Sequence, residues 1–372
     1  MLFGAVMLLV ALVLWRARGA LLPFLVGIVV AYLLAPPVDR LHAALPARLR
    51  DSKAGRPLTI LAVYIAAIAF IAGFAALVAP TVVRQAEALL QSAPDIYQVA
   101  QARFQQFVLD RPQLWSEQSQ ALVERLLGED VAQRAALAGL EIAQRGGLAT
   151  VGAVSSTVSW ALAFIVVPIW VVYVLNDSGR MLSGGLGLIP STLRPDVEAA
   201  RIVTDEVLSG YIRGQLVIAI VLGAMSAIAL FALGVPYALL LGVVAAALGL
   251  IPFVGAILGM IPAVIVALGQ SVQLALLVVA AFLVVQLIDN VIVSPRVQGD
   301  AVALHPALIM VVLVVGQQLM GPLGLLVAVP LTALLRDWVH YIYLRLGDDR
   351  PSPAQALATI GYERADPISA LE

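Results

Sequence analysis

The apolar positions of this chain gather into long runs of two kinds. Some are uninterrupted, such as residues 217–233 and 274–288, which hold no charged side chain. Others are broken near their middle by glycine and proline. The uninterrupted runs predict helices over 1–15, 21–35, 58–79, 150–175, 211–233 and 271–293, each suited to lipid rather than to a soluble core. Arg16, Arg18 and Gly19 predict a turn between the first two, Pro36-Pro37 an end to the second, and Pro80 an end to the third. The first run has no basic residue ahead of it and reads as a retained helix rather than a cleaved signal.

The broken runs are 236–270, interrupted at Ile251-Pro252-Phe253-Val254-Gly255, and 306–335, interrupted between Gly316 and Gly324. Their arms fall short of the roughly 20 residues that cross a bilayer. The pattern predicts two re-entrant helical hairpins, each entering and leaving on one side, although glycine and proline also kink ordinary spanning helices. Non-helical backbone at membrane depth survives only when shielded by protein or lining a watery cavity, which makes Pro252, Gly255, Gly316, Gly321 and Gly324 candidate site positions. One long helix before each hairpin makes two units of opposite topology, an inverted repeat.

The polar stretches complete an all-α, polytopic plan. Residues 1–80 hold three membrane helices and 150–176 the fourth. Between them, 81–149 forms an extracytoplasmic amphipathic segment. Apolar residues recur there at helical spacing at Ile96, Ala100, Phe104, Phe107 and Val108, and again at Leu122, Val123, Leu126 and Leu127. Pro94 and Pro112 mark helix starts or breaks within it. Residues 177–209 read as a cytoplasmic helical linker, 210–342 as a C-terminal core that holds both broken runs, and 343–372 as a polar, disordered cytoplasmic tail.

Composition sharpens this picture. The chain is 62% hydrophobic and only 12% charged, with a mean hydropathy of +0.99, whereas soluble domains average about 45–50% apolar and about 25% charged. A net charge of -1 offers no basic surface for nucleic acid, and the absence of cysteine removes thiolate chemistry and disulfides. Arg40, Arg48, Arg50, Lys53 and Arg56 cluster in one short loop, which the positive-inside rule makes cytoplasmic, together with both termini. Arg16 and Arg18 run mildly against that assignment.

Candidate chemistry is sparse and sits within the apolar core. Asp289 is an acidic residue well inside a long apolar run, where a carboxylate is costly enough to suggest solute or ion coupling; the bland alternative is an ion pair with Arg213 or Arg296. Gln286 and Asn290 extend it into a polar stripe. Arg213 and Gln215 open the fifth helix, His305 precedes the second hairpin, and Gln317 and Gln318 flank its break. His305 serves either proton exchange or simple capping. One carboxylate is too few for an aspartyl protease, and neither a His-Glu-x-x-His zinc motif nor a phosphate-binding Gly-x-x-x-x-Gly-Lys loop occurs, so enzymatic activity and resident cofactors or metals are not expected.

The run Ile251–Gly255, the stretch Asp289-Asn290 to Pro295, Gly299, Leu304-His305-Pro306, Gly316, Gly321, Gly324 and Ala328-Val329-Pro330 resemble, in order and spacing, the autoinducer-2 exporter family of bacterial membrane proteins. Tyr211 to Gln215 and Ala31-Tyr32-Leu33 to Pro36 are similar to the same family, and the plan matches from about residue 5 to residue 342. The resemblance implies a homo-oligomeric inner-membrane secondary transporter. It implies export of autoinducer-2 or a related small polar solute in some members and sodium(potassium)/proton antiport in others, so a small-molecule solute and a coupling cation or proton are the expected partners. A non-transporting membrane scaffold is the rival from another class, which broken hairpins and an embedded Asp289 disfavour.

Overall fold

In the computed structural model the described residues are 18–52, 54–110, 166–177, 187, 189–252, 254–298, 304–347 and 351–362. The expected first helix, the second half of the amphipathic segment with Pro112, and most of the fourth helix fall outside them. Among the described residues every regular element is helical. The helices are α1 (Arg18–Ala44), α2 (Ala47–Arg50), α3 (Gly55–Leu109), α4 (Val166–Asp177), α5 (Arg194–Ala232), α6 (Ala238–Gly249), α7 (Val254–Leu268), α8 (Val272–Ile288), α9 (Ser294–Gln298), α10 (Pro306–Met320), α11 (Pro322–Leu346) and α12 (Pro353–Thr359). A π-helical turn, Asp289–Val293, joins α8 to α9.

Stretches within α1, α3, α5, α8–α9 and α11 are long and apolar enough to cross a membrane. The protein is thus an all-α polytopic membrane protein, as expected. Several expected boundaries move, all in the same direction. α1 continues through Pro36 and Pro37 to Ala44, and α3 continues through Pro80 and Pro94 for 55 residues. α5 begins at Arg194, so the second half of the expected linker and the fifth membrane helix are one helix of 39 residues, with Tyr211 to Gln215 near its middle. Proline removes one backbone bond but does not end a helix whose other groups find no competing water, as in lipid, or whose flanks are strong helix formers. The tail also differs from expectation: Ser352 closes a capping box with Gln355 at the start of α12, and Ala356 and Leu357 are fully buried.

The chain divides into two compact units. The first comprises Met1–Ile71, Val154–Arg213 and Ala333–Glu372. Here Val38 of α1, Ile60 of α3 and Val171 of α4 form a buried cluster, with Phe24 edge-on to Trp170 at 5.4 Å. Gly27 admits the Trp170 ring, which a Cβ would meet at 3.0 Å. Arg56 closes one end, donating to the Leu175 carbonyl (3.0 Å) and to Asp39 (3.3 Å). Around the first half of α5, Tyr32 donates to Asp205 (2.8 Å) and Arg201 to Glu198 (2.6 Å) and Asp205 (2.5 Å). Tyr341 (2.6 Å) and Arg345 (2.7 Å) both donate to Asp196. Tyr362 ties α12 back to α11 by donating to Asp337 at 2.6 Å.

The second unit comprises Ala72–Ala153 and Gly214–Thr332. Its core joins α5, α6, α7 and α8 through Leu230, Leu241, Ala245, Ala263, Val266 and Val278, with Ala100 of α3 added. Backbone contact replaces side-chain bulk between α5 and α6. A Cβ on Gly223 would strike Ala246, and one on Gly242 would strike Ala227, each also lying 2.8 Å from the other glycine's carbonyl oxygen. Small residues four apart on both helices let them touch, the common solution where lipid supplies no hydrophobic drive between helices.

Candidate functional site: two helical hairpins and a polar π-turn

Both expected breaks are present, and in each case the chain folds back on itself. Hairpin 1 is α6 and α7. α6 ends at Gly249, the chain turns after Leu250, and Gly255 at the start of α7 lies so close to the Leu248 carbonyl that any Cβ would overlap it. Gly259 then faces Ala245, whose Cα would lie 3.0 Å from a Cβ there. Pro252 sits in the turn and accepts from the Val254 N–H at 2.6 Å. Hairpin 2 is α10 and the first part of α11, and its turn is a single residue, Gly321, at φ 64 and ψ -146. That conformation is essentially restricted to glycine. Gly316 and Gly324 face each other across the hairpin, a Cβ on Gly316 meeting the Gly324 carbonyl at 2.6 Å and Ala328 at 2.8 Å. The break is thus sharper than the expected stretch from Gly316 to Gly324.

Gln215 is buried, with 7% of its surface exposed, and its amide nitrogen donates to the carbonyls of Gly249 (2.9 Å) and Leu250 (3.3 Å). These are orphan acceptors at the end of α6, which has no following turn of helix to satisfy them. The Gln215 oxygen accepts in turn from Gln298 at 2.9 Å. Gly214 leaves room for that partner, since a Cβ there would lie 2.8 Å from Gln298 Cγ. One side chain of α5 therefore links the turn of hairpin 1 to the end of α9.

Asp289 opens the π-turn and is buried, 8% exposed, in an otherwise apolar helix. It accepts from Ser294 Oγ at 3.1 Å. No arginine, lysine or histidine forms an ion pair with it among the described residues, so the pairing with Arg213 or Arg296 is not found. Arg213 is exposed and donates to the Ser209 carbonyl at 2.9 Å within its own helix. Gln286 donates to Asn290 at 3.1 Å, and its own side-chain oxygen is buried without a partner. A π-turn widens the helix locally and frees backbone groups, and such turns often mark functional positions. Here it carries Asp289 and Asn290 in one step.

Among the described residues no hydrogen bond joins the remaining candidates to this cluster. His305 caps α10, its Nδ1 accepting from the Ala307 N–H at 3.2 Å, and Gln317 and Gln318 are exposed on the last turn of α10. Sequence reading missed Gln298, Ser294 and the underside of hairpin 1. There Gln85 accepts from the Leu240 N–H (2.8 Å), Ser92 pairs with Tyr237 (3.0 Å), and Arg103 donates to the Gly269 carbonyl (2.8 Å). A signal for Arg103 was available, since it lies beside the apolar face marked by Ile96, Ala100 and Phe104.

The sequence model of the family described as "AI-2E family transporter" matches residues 3–344. Among curated relatives, "Putative permease PerM" of Escherichia coli K12 is 26% identical over 87% of both chains. "Putative transport protein YueF" of Bacillus subtilis strain 168 is 29% identical over 78% of this chain and 77% of its own. "Putative transport protein YrrI" of the same organism is 30% identical over 52% of this chain, a match spanning 56% of that protein. The descriptions are those of transport proteins rather than enzymes.

Proposed function

Because the chain belongs to the AI-2E transporter family, we propose that it is a secondary transporter that exports a small polar solute, autoinducer-2 or a related metabolite, across the bacterial inner membrane. Two re-entrant hairpins in an inverted repeat form its core, both termini are cytoplasmic, and the chain assembles as a homo-oligomer. The observation that carries the reading is Asp289, a buried carboxylate with no cationic partner among the described residues, set in a π-turn beside Gln286 and Asn290. Lipid makes such a group expensive, and it persists where a cation, a proton or a solute hydroxyl completes it in the working cycle. Gln286, with one free acceptor oxygen, and Asn290 supply the hydrogen bonds that a polyhydroxylated solute requires. Gln317 and Gln318 provide a second set beside the turn of hairpin 2, and Arg213, Gln215 and His305 border the path.

The lone carboxylate also favours a second reading within the family, sodium(potassium)/proton antiport, in which Asp289 carries the cation or the proton in alternation. One preparation tests both. Retention of autoinducer-2 by overexpressing cells reports export, and sodium- or potassium-driven proton movement in everted vesicles reports antiport. Asp289→Asn is expected to abolish the gradient-dependent flux while keeping the fold and expression level, since the shapes match and no arginine is left unpaired. Full gradient-dependent flux by Asp289→Asn would remove the coupling role.

A further inference from the structure

We propose that hairpin 1 is the stationary wall of the transport path, clamped at both ends by polar side chains, and that the transport motion falls to hairpin 2. This rests on the transport reading above. At the turn of hairpin 1, Gln215 holds the carbonyls of Gly249 and Leu250 and is itself held by Gln298. At the open end, three side chains of α3 grip both arms. Gln85 accepts from Leu240 in the first turn of α6, Ser92 meets Tyr237 just ahead of it, and Arg103 donates to Gly269 just beyond α7. Ile96 packs against the same place, its Cα 3.7 Å from a Cβ built on Gly269. Along its length, hairpin 1 is seated by the backbone contact of Gly223 with Gly242 and Ala246.

Gln215, Gln85 and Arg103 each satisfy a backbone N–H or carbonyl at a helix end, and Ser92 pairs with the Tyr237 hydroxyl, so releasing the hairpin gives up several hydrogen bonds at once. Such a body moves together with α3 and α5 or not at all. Hairpin 2 is built differently. Among the described residues its side-chain hydrogen bonds stay within its own arms, from Ala307 N–H to His305 and from Thr332 to the Ala328 carbonyl (2.7 Å). Its turn is the single residue Gly321, with open space around its Cα, and Gln317 to Met320 leading into it are exposed. Hinges are a few terminal residues able to absorb a backbone change, and only this hairpin offers one that is not tied down.

The cysteine-free chain allows a direct test. A Cβ on Gly249 lies 4.0 Å from Ala219 Cβ, inside the roughly 3.5–4.5 Å that a disulfide spans. The pair Ala219→Cys with Gly249→Cys therefore locks the turn to α5, and Ile96→Cys with Gly269→Cys locks the open end to α3. After oxidation with copper phenanthroline, each locked protein is expected to keep whichever flux the unmodified chain supports, to within about twofold of its reduced form, because no closing motion is blocked. Loss of flux on oxidation, restored by reductant, would overturn the proposal. Failure of the unmodified chain to move either autoinducer-2 or cations would instead strike the transport reading. Should the substituted chains not fold, hydrogen exchange of the unmodified protein with saturating sodium against choline decides. Protection is expected to change in 306–332 and not in 238–268; change in 238–268, or in neither, refutes the fixed wall.

Discussion

At the scale of single residues, hydrogen bonding at helix ends decides what each polar side chain does. Gln215 is worth more to stability than Gln298 although the two touch. Removing Gln215 strands two backbone carbonyls of hairpin 1, whereas removing Gln298 strands only the Gln215 oxygen. Gln215→Ala should cost about 1–3 kcal/mol and Gln298→Ala about 0.5–1.5 kcal/mol. The double variant should fall short of their sum, measured by thermal unfolding in detergent. Tyr362 offers a pH test outside the membrane-spanning helices. Burial, and then its hydrogen bond to Asp337, raise its hydroxyl above the ordinary value near 10, with Asp337 and Glu206 reinforcing and Arg336 opposing the shift. A group whose folded-state pKa is raised contributes stability that is complete below its unfolded value and lost as pH rises through the folded one. Docking of α12 should therefore hold at pH 7 to 9 and weaken progressively above about pH 10, read as faster hydrogen exchange in residues 353–359. Tyr362→Phe should be weaker throughout and lose that alkaline dependence.

At the scale of elements, glycine positions separate close approach from backbone strain. Gly316→Ala should destabilise hairpin 2 by about 1–3 kcal/mol or more through overpacking, since backbone and Ala328 already lie within 2.8 Å of the added methyl. Gly321→Ala meets nothing, yet should also cost of order 1–3 kcal/mol because its φ and ψ exclude a side chain. Gly73, in open space on α3, should gain up to about 1 kcal/mol on change to alanine. Tm values of the three variants check the order. The two helix breaks were legible in the sequence because glycine and proline interrupt the apolar runs there, and apolar length alone located the long helices. Helix ends were not legible. Pro36, Pro80 and Pro94 look like stops by their cost in water, but their helices run on in lipid or against hairpin 1, where the backbone has no better partner. The polar stripe of Gln286, Asp289 and Asn290 was visible from spacing; its π-turn and the Gln298–Gln215 link were not, because they depend on which elements meet.

At the scale of the whole molecule, the length of α3 governs how the chain must sit in a bilayer. Its 55 residues extend about 80 Å at 1.5 Å per residue, whereas a hydrocarbon core of about 30 Å takes about 20 of them. The apolar, exposed stretch from Leu58 to Leu77 fits the core, its side chains largely uncovered by the rest of the chain. The remainder, from Arg84 through Arg103 to Asp110, carries the polar clamps on hairpin 1 and exceeds the length that the hydrocarbon core takes. A single helix that crosses once puts its two ends on opposite faces, and the proposed orientation, drawn from the arginines before Gly55, puts the first end in the cytoplasm. A cysteine introduced at exposed Ser52 should then be shielded from a membrane-impermeant maleimide in intact cells, while one at exposed Gln105 should be labelled, and both should react after permeabilisation. Labelling at 52 with protection at 105 would invert the topology and carry hairpin 1 with it, since Gln85, Ser92 and Arg103 fix that hairpin's open end to the same stretch of α3 that the reagent reports.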